Sequence, residues 1–294
     1  MTGSSSHLSD SGPINANSQM PMSAIAPDPS MFPVYREPSK RNAPVFASAR
    51  HKTQTAQAFF TGAEDYDTVR PAYPDFVVTL AGAAPSQLEG TVIDIGAGTG
   101  KLTLALPHQR VLACDPSFDM VRILAQKGIP CWLGVGEELP LSDSSITTAF
   151  CAQAWHWLDA NRTCQELDRV LTSDGKIVLV WNTLNVNDYP WVLRLSRIMH
   201  SGDVLRPDFV PEIHAPWEIS CQRHEKWNQP IKVADLHTLM HSRSYWLNAK
   251  DHIRTRMTHN LRWYLNEHLS LCDEDTVQLP YRTDAFVLSR TNAF

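Results

Sequence analysis

The sequence lacks the features that mark several classes of protein. It contains no apolar run long enough to span a bilayer, and its N-terminus has neither the basic start nor the apolar core of a signal peptide. There is no excess of positive charge, since the formal net charge is −5, which argues against a nucleic-acid-binding surface. The six cysteines include no Cys-x-x-Cys pair, so we expect reduced thiols rather than a disulfide framework. Together these absences predict a cytoplasmic protein with neither a membrane nor a nucleic-acid partner.

The first part of the chain also lacks an apolar period. Residues 1–50 are rich in Ser, Pro and Asn, and such a segment buries too little surface to offset the entropy of ordering it. We therefore predict a disordered tail over residues 1–50 and one folded domain over residues 51–294. At the start of that domain the sequence predicts a helix over Thr55–Phe60 and a proline-broken loop over Tyr66–Pro74.

Short apolar runs alternate with amphipathic segments from residue 75 to residue 182. This alternation is typical of an α/β protein with a Rossmann-like, doubly wound, mostly parallel sheet, for which we expect seven strands. The predicted strands are Thr91–Ile95, Arg110–Cys114, Ile129–Leu133, Ser145–Ala152 and Lys176–Trp181. The predicted helices are Asp75–Ala81, Lys101–Leu106, Ser117–Gln126 and Ala160–Leu171.

The alternation breaks after Asn182. Residues 185–220 contain several Trp and Pro residues without an apolar period, which predicts a small cap inserted after the fifth strand. Helices are expected near Val233–His241 and Ala249–His268, followed by strand-like segments at Thr276–Leu279 and Asp284–Ser289.

The most informative motif follows the first predicted strand. Gly96, Gly98 and Gly100 stand at alternate positions, where glycine allows a sharp turn and brings backbone N–H groups close to a ligand. Asp115 ends the next strand, and its two acceptor oxygens suit the hydroxyls of a ribose. Asp94 precedes the glycines, where a carboxylate either orders the loop amides or holds a cationic amino group. This arrangement predicts a site for a nucleotide-type cofactor.

The glycine spacing separates the possible cofactors. A dinucleotide site is typified by G-x-G-x-x-G, whereas this chain has G-x-G-x-G followed by Lys101. An acid about 20 residues further on fits both kinds of site, so Asp115 alone does not discriminate between them. No G-x-x-x-x-G-K-[ST] motif occurs, which excludes a P-loop. The spacing favours S-adenosylmethionine over NAD or ATP.

Several segments resemble class I S-adenosylmethionine-dependent methyltransferases, and in particular their type 11 branch, which includes trans-aconitate methyltransferase-like proteins. The resemblance covers about residues 55–182, with weaker echoes near the end of the chain, and one departure is Gly136, where the family pattern has Ala. The segments that carry it are Val92–Leu106, Gly134–Pro140, Phe150–Trp157, Glu166–Leu171, Val178–Asn182 and the Tyr-x-x-x-Arg-Pro-x-Tyr-Pro element from Tyr66 to Pro74.

The resemblance implies roles for individual residues. Asp94, Gly96 and Gly98 would contact the methionine part of the cofactor, and Asp115 would hold its ribose. The remaining implied contacts are Met120 on the adenine, Gly136 and Glu137 at the adenine edge, and Gln153 near the sulfonium.

Candidate acceptor-binding and catalytic residues are less sharply defined by the sequence. His156, beyond the fourth predicted strand, is the best candidate for a general base. Trp155 and Trp157 beside it either form an aromatic wall or pack the core. Three roles are open for Tyr66 and Arg70: they close over the cofactor, hold a substrate carboxylate, or make structural loop contacts. His237 and His241 stand at i, i+4 on a predicted helix, a spacing compatible with a metal site, but neither an H-E-x-x-H motif nor a third ligand accompanies them, so we expect no metal.

These patterns predict an enzyme that transfers a methyl group from S-adenosylmethionine to a small molecule, for example a carboxylic acid. Two alternatives stay open at this point: a cofactor-binding protein without catalytic activity, and an NAD-dependent oxidoreductase. The sequence predicts neither the oligomeric state nor the acceptor atom.

Overall fold

The computed structural model describes residues 24–25, 67–80, 90–107, 110–200 and 204–291. The strands are β1 (Ala24–Ile25), β2 (Thr91–Ile95), β3 (Arg110–Asp115), β4 (Cys131–Leu133), β5 (Ile146–Ala152), β6 (Leu171–Leu184), β7 (Trp217–Lys232) and β8 (Thr276–Arg290). The α-helices are α1 (Asp75–Thr79), α2 (Phe118–Gln126), α3 (Ala160–Val170), α4 (Pro190–Ile198), α5 (Asp235–His241), α6 (Ser244–Leu247) and α7 (Asp251–Arg262). Short 3₁₀ turns cover Thr103–Ala105 and Trp155–Trp157, and a π-helical segment covers Trp263–His268.

The strands form one mixed sheet. Apart from the two-residue β1, which pairs with the start of β8, the order is β4-β3-β2-β5-β6-β8-β7. β2 to β6 are parallel to one another, whereas β8 is antiparallel to both β6 and β7. This confirms the predicted Rossmann-like, mostly parallel sheet of seven strands. The chain moves outward from β2 to β4 and returns to β5 on the other side of β2, so a ligand cleft is expected at the carboxyl ends of β2 and β5.

The central strands are apolar because both of their faces are covered. Consecutive residues of β2 enter different clusters: Val92 packs with Phe76 and Val77 of α1, and Ile93 packs with Leu167 of α3. Side chains of a strand alternate between its two faces, so these two clusters are the two layers of core around the sheet. The buried sheet thereby holds the loops at its carboxyl edge in fixed positions.

A third apolar cluster lies among the helices that follow β6. Trp191 and Leu195 of α4 pack with Leu236 of α5 and with Tyr264, whose hydroxyl donates a 2.8 Å hydrogen bond to the carbonyl of Trp191. This packing fixes the segment that joins α5 to α6, which carries a residue of the cleft described below.

The structure corrects the predicted helix over Lys101–Leu106. Only a 3₁₀ turn forms there, at Thr103–Ala105, and Leu106 is already extended with ψ 120°. Leu106 precedes Pro107, whose ring disfavours helical backbone at the preceding residue, so the run is too short for an α-helix.

The sequence also gave no indication of β7. Residues 217–220, assigned above to the cap, begin this 16-residue strand, so the irregular region ends earlier than expected and contains α4. The segments predicted at Thr276–Leu279 and Asp284–Ser289 are one continuous strand, β8, and β6 extends beyond Lys176–Trp181 in both directions. The helix expected over Ala249–His268 begins at Asp251 and continues as π-helix from Trp263.

Some predictions fall outside the described residues. They include the helix at Thr55–Phe60, Tyr66, and the tail over residues 1–50 except for β1. Within the described ranges, no helix is long and apolar enough to cross a membrane, and no group of three or more His, Cys, Asp or Glu side chains is placed to hold a metal ion. All six cysteines are free thiols.

Candidate active site

The glycine-rich loop turns sharply away from the end of β2. Gly96 and Gly98 have φ angles of +66° and +57°, a region that side chains with a Cβ rarely adopt. A Cβ on Gly96 would lie 2.4 Å from the Cβ of Ala154, whereas one on Gly98 would meet no atom within 4 Å. Gly96 is therefore needed for close packing against the segment after β5, and Gly98 faces open space. Gly100, with φ +91°, packs against Leu124 of α2.

Asp115 holds this loop in place. One of its carboxylate oxygens accepts a 2.9 Å hydrogen bond from the N–H of Gly98, and the other accepts a 2.8 Å bond from the N–H of Ser117. Burial raises the pKa of Asp115, although both N–H groups favour the charged form and oppose that rise. Of the two acids that the sequence singled out, Asp115 is thus the one that orders a loop amide.

Asp94 lies beneath the loop and is almost completely buried. Its Oδ2 accepts a 2.7 Å hydrogen bond from the hydroxyl of Thr103, whereas its Oδ1 has no hydrogen-bond partner among the described residues. Burial raises the pKa of Asp94 to about 7, with a further contribution from Asp115, while the bond from Thr103 lowers it. A buried acceptor without a partner is costly unless a ligand supplies a donor. Asp94 lines the cleft, so it fits a ligand with a cationic amino group.

The cleft next to this loop opens to solvent. Besides the glycine-rich loop, the lining of the cleft includes Gln153, Asn182, Arg243 and Tyr281, which we call the wall. Gln153 has φ +59° and donates a 2.6 Å hydrogen bond through Nε2 to the carbonyl of Asn182. The sequence patterns did not single out Asn182 or Tyr281 as site residues, and their place at the carboxyl end of β6 and opposite it on β8 becomes evident only from the sheet order.

A chain of hydrogen bonds fixes this wall from behind. The indole N–H of Trp227 donates to the hydroxyl of Thr283 at 2.8 Å, and that hydroxyl donates to Oδ1 of Asn182 at 2.6 Å. Nδ2 of Asn182 in turn donates to the carbonyl of Ala72 at 3.0 Å. The edge strand β7 is thereby connected, through β8 and β6, to the segment before α1.

Comparison with known proteins identifies the family. A family model described as a methyltransferase domain matches residues 93–179. An uncharacterized methyltransferase of Mycobacterium bovis is 35% identical over 226 residues, covering 74% of this chain and 89% of the relative. The chain belongs to the class I S-adenosylmethionine-dependent methyltransferases. An uncharacterized methyltransferase-like protein of Schizosaccharomyces pombe is 28% identical over 242 residues, which is 78% of this chain and 94% of that protein.

A solved structure agrees with the fold of the methyltransferase. It is that of a putative type II methyltransferase from Anaeromyxobacter dehalogenans, which has 21% sequence identity and a TM-score of 0.50 and covers 75% of this chain and 97% of that chain. The family identifies the cofactor as S-adenosylmethionine. The buried acceptor on Asp94 and the open space at Gly98 fit its amino-acid part, so the chemistry of the cleft agrees with that cofactor.

The expected adenine region of the methyltransferase lies beside β3 and β4. Met120 is buried within α2. Gly136 packs closely on Ile95, since a Cβ there would lie 2.8 Å from Cγ2 of Ile95. Glu137 accepts a 2.7 Å hydrogen bond from the N–H of Asp159, and its other carboxylate oxygen is buried without a hydrogen-bond partner among the described residues.

Sequence reasoning missed exposed apolar residues at this same edge. Phe118, the first residue of α2, is 69% exposed, and Leu133, which pairs with Asp115 in the sheet, is 57% exposed. An apolar residue at the first position of the helix that follows Asp115 is a signal that could have identified Phe118. The adenine contacts of Met120, Gly136 and Glu137 stay predictions.

The aromatic turn after β5 does not line the cleft. Trp155 is buried in the core, and its indole N–H donates a 2.8 Å bond to the carbonyl of Glu212, which is the packing alternative considered above. The ring centroids of His156 and Trp157 are 4.9 Å apart. Neither residue is among those that line the cleft. His156 as a base and Trp157 as a substrate contact therefore stay predictions.

Arg70 both lines the cleft and makes structural contacts. Its Nε donates to the hydroxyl of Ser242 at 3.0 Å, and its second nitrogen donates to the carbonyl of the same residue at 2.9 Å. Of the roles that the sequence left open for Arg70, structural contact and ligand binding are thus compatible, because a guanidinium has five N–H donors.

The buried carboxyl of Asp94 predicts a pH dependence of stability. Its folded-state pKa of about 7 exceeds the ordinary value of 3.8, so between these values the folded protein binds more protons than the unfolded chain. The contribution of Asp94 to stability therefore falls as the pH rises through this window. The free energy of unfolding of the cofactor-free parent should therefore fall from pH 4.5 to pH 8, whereas that of Asp94→Asn should not. The difference between variant and parent should shift in favour of the variant over this range, on the order of a few kcal/mol. Urea unfolding at both pH values measures this, and an equal difference at both would contradict it.

Proposed function

We propose that this methyltransferase transfers the methyl group of S-adenosylmethionine to a small molecule that carries a carboxylate. The observation that carries this proposal is the charge of the cleft. Three cationic side chains line it, from Arg70, Lys101 and Arg243, and among the described lining residues Asp94 is the one acid. Asp94 lies under the glycine loop, so the remaining lining leaves an excess of positive charge for an anionic acceptor.

The cofactor-binding roles follow from the same geometry. We assign Asp94, Gly96 and Gly98 to the methionine part, with the unpartnered oxygen of Asp94 accepting from the amino group. We assign Asp115 to the ribose, because each of its oxygens accepts one backbone N–H and has a second lone pair available. Gly100 packs the loop against Leu124 of α2. We assign Gln153, which lines the cleft, to the sulfonium side of the cofactor.

The chemistry demands little of the protein beyond placement. S-adenosylmethionine, when bound, supplies a methyl group activated by a sulfonium. A carboxylate is ionised at neutral pH, since its ordinary pKa is about 4, and it therefore needs no general base. The absence of His156 from the lining of the cleft is consistent with such an acceptor. Orientation of the two reactants can contribute about 7–11 kcal/mol to catalysis, which here would come from the glycine-rich loop and the cationic side chains that line the cleft.

Other features support a small acidic acceptor. The resemblance to trans-aconitate methyltransferase-like proteins points to the same class, and the formal net charge of −5 argues against a polyanionic partner such as nucleic acid. Arg243 is 4% exposed, so its guanidinium is held in place by the surrounding chain. An ordered guanidinium recognises a carboxylate through two parallel hydrogen bonds.

Formation of S-adenosylhomocysteine tests this proposal directly. The protein is incubated with S-adenosylmethionine and a panel of mono-, di- and tricarboxylic acids, each matched with its neutral amide. We expect turnover with at least one acid and none with its amide. Turnover of amides, alcohols or amines in place of the acids would overturn the proposal.

Arg243→Met is expected to raise the KM for the acid at least tenfold, because one hydrogen bond to a charged group contributes about 1.5–3 kcal/mol. The dissociation constant for S-adenosylhomocysteine should change less than twofold. Arg162→Met is the matched control, since Arg162 is exposed on α3 and does not line the cleft. Equal effects of Arg243→Met on acceptor and cofactor would contradict the assigned role.

A further inference from the structure

Residues 67–74 pass across the cleft before α1 begins, and we call this segment the strap. Arg70, Pro71 and Tyr73 of the strap line the cleft. On the side of β6 and α5 the strap is fixed by the bonds from Arg70 to Ser242 and by the bond from Asn182 to the carbonyl of Ala72. Gln229 of β7 adds a bond of 3.3 Å to the carbonyl of Val69.

The other end of the strap is held by Lys127, the residue that follows α2. Its ammonium donates to both carboxylate oxygens of Asp67, at 2.9 Å and 2.8 Å. Both side chains are less than one third exposed, so solvent screens the pair less than it screens a surface ion pair. Burial raises the pKa of Asp67, but hydrogen bonds and the charge of Lys127 lower it below its usual range, so the carboxylate stays charged at neutral pH.

Lys127 also contacts the glycine-rich loop. Its ammonium donates a third hydrogen bond, 2.8 Å long, to the carbonyl of Thr99, the residue between Gly98 and Gly100. The loop is thus bound from both ends of α2: Asp115, just before the helix, holds the N–H of Gly98, and Lys127, just after it, holds the carbonyl of Thr99. An ammonium has three N–H donors, and here all three bonds run to the strap and the loop.

We propose that Lys127 is a positioning residue for the cofactor, because it fixes the strap and the glycine-rich loop to each other and so sets the width of the cleft between them. Lys127 itself does not line the cleft. Its effect is exerted through the backbone of Thr99 and through Asp67. Without it, the strap keeps its attachment on the side of Arg70 and loses the ion pair of Asp67 beside the loop.

The test measures binding of S-adenosylhomocysteine and needs no acceptor, so its outcome is independent of the carboxylate proposal. Lys127→Met keeps the length of the side chain and removes the charge. We expect the dissociation constant of this variant for S-adenosylhomocysteine to rise at least tenfold. Stopped-flow experiments should show that the rise comes mainly from faster dissociation. Amide hydrogen exchange of the cofactor-free protein should increase in residues 67–74 and in the loop. Lys127→Arg should restore both quantities, since a guanidinium can donate to a carboxylate and a carbonyl together.

Two further variants keep the proposal falsifiable. Asp67→Asn leaves the bond to Thr99 intact and should show a smaller rise, and the double variant should equal Lys127→Met rather than the product of the two effects. Lys232→Met removes an ion pair with Glu274 remote from the cleft and serves as the control. Unchanged affinity and exchange in Lys127→Met, or an equal change in Lys232→Met, would overturn the proposal. If Lys127→Met does not fold, an Asp67→Asn protein with parental affinity and exchange would do so.

Discussion

Replacement of Asp115 by alanine is expected to weaken binding of S-adenosylhomocysteine by about a hundredfold or more. The carboxylate accepts hydrogen bonds from the N–H groups of Gly98 and Ser117, so its removal releases the loop and the start of α2 in addition to deleting the proposed ribose acceptor. Two hydrogen bonds to a charged group, at about 1.5–3 kcal/mol each, correspond to at least two orders of magnitude in affinity. Isothermal titration of the cofactor-free protein measures the effect.

A matched pair of variants separates this effect from a general loss of charge. Asp119→Ala removes an acid from the first turn of α2. Asp119 is partly exposed, and its Oδ1 lies 3.8 Å from Nε of Arg122. This variant should bind like the parent. Asp115→Asn keeps the shape but retains only one acceptor oxygen, so its affinity should fall between those of the parent and Asp115→Ala. Binding by Asp115→Ala within twofold of the parent would show that the ribose lies elsewhere.

Gly96→Ala is expected to have the largest effect on stability. The φ angle of +66° costs a residue with a Cβ about 1–2 kcal/mol, and the new methyl would lie 2.4 Å from the Cβ of Ala154. Backbone strain and overpacking together should reduce the free energy of unfolding by about 3 kcal/mol or more. The displaced loop should also lose most of its affinity for S-adenosylhomocysteine. Urea unfolding and calorimetric titration measure the two consequences.

The chain offers a control for each cause. Gly128 also has a positive φ, +78°, but a Cβ there would meet nothing within 4 Å, so Gly128→Ala should show the strain alone and bind normally. Ala154→Gly in the Gly96→Ala background removes the clashing methyl and should recover stability to near the level of Gly128→Ala. If the double variant is no more stable than Gly96→Ala after allowance for Ala154→Gly alone, the contact with Ala154 is not the cause.

The parallel half of the sheet was predictable because each of its strands is buried on both faces. Residues such as Ile93, Phe150 and Val178 therefore form short apolar runs that stand out between polar helices. β7 was not predictable in this way. It is an edge strand with most of its side chains exposed, so its sequence has no apolar run, and it is held by backbone pairing with β8. Pairing partners distant in the chain leave no local signal.

The residues of the site also differ in whether the local sequence reveals them. Asp94, Gly96, Gly98 and Asp115 were predictable because a strand, a glycine turn and a helix follow each other in the chain. Asp94, Gly96 and Gly98 line the cleft, and Asp115 contacts it through its bond to the N–H of Gly98. Tyr281 reaches that cleft only because β8 inserts between β6 and β7. Lys127 is an ordinary residue just after a helix in the sequence, and its three bonds depend on the tertiary structure that brings Asp67 and Thr99 to it.

Trp227 of the edge strand β7 sets the direction of each hydrogen bond in the chain that runs from its indole to Ala72. An indole nitrogen can only donate, so the hydroxyl of Thr283 must direct its own hydrogen toward the amide oxygen of Asn182. That amide is left with no alternative orientation, and its nitrogen faces the carbonyl of Ala72. The orientation of the Asn182 amide in the cleft is thus determined by a partly exposed ring on the edge strand. That ring does not itself line the cleft.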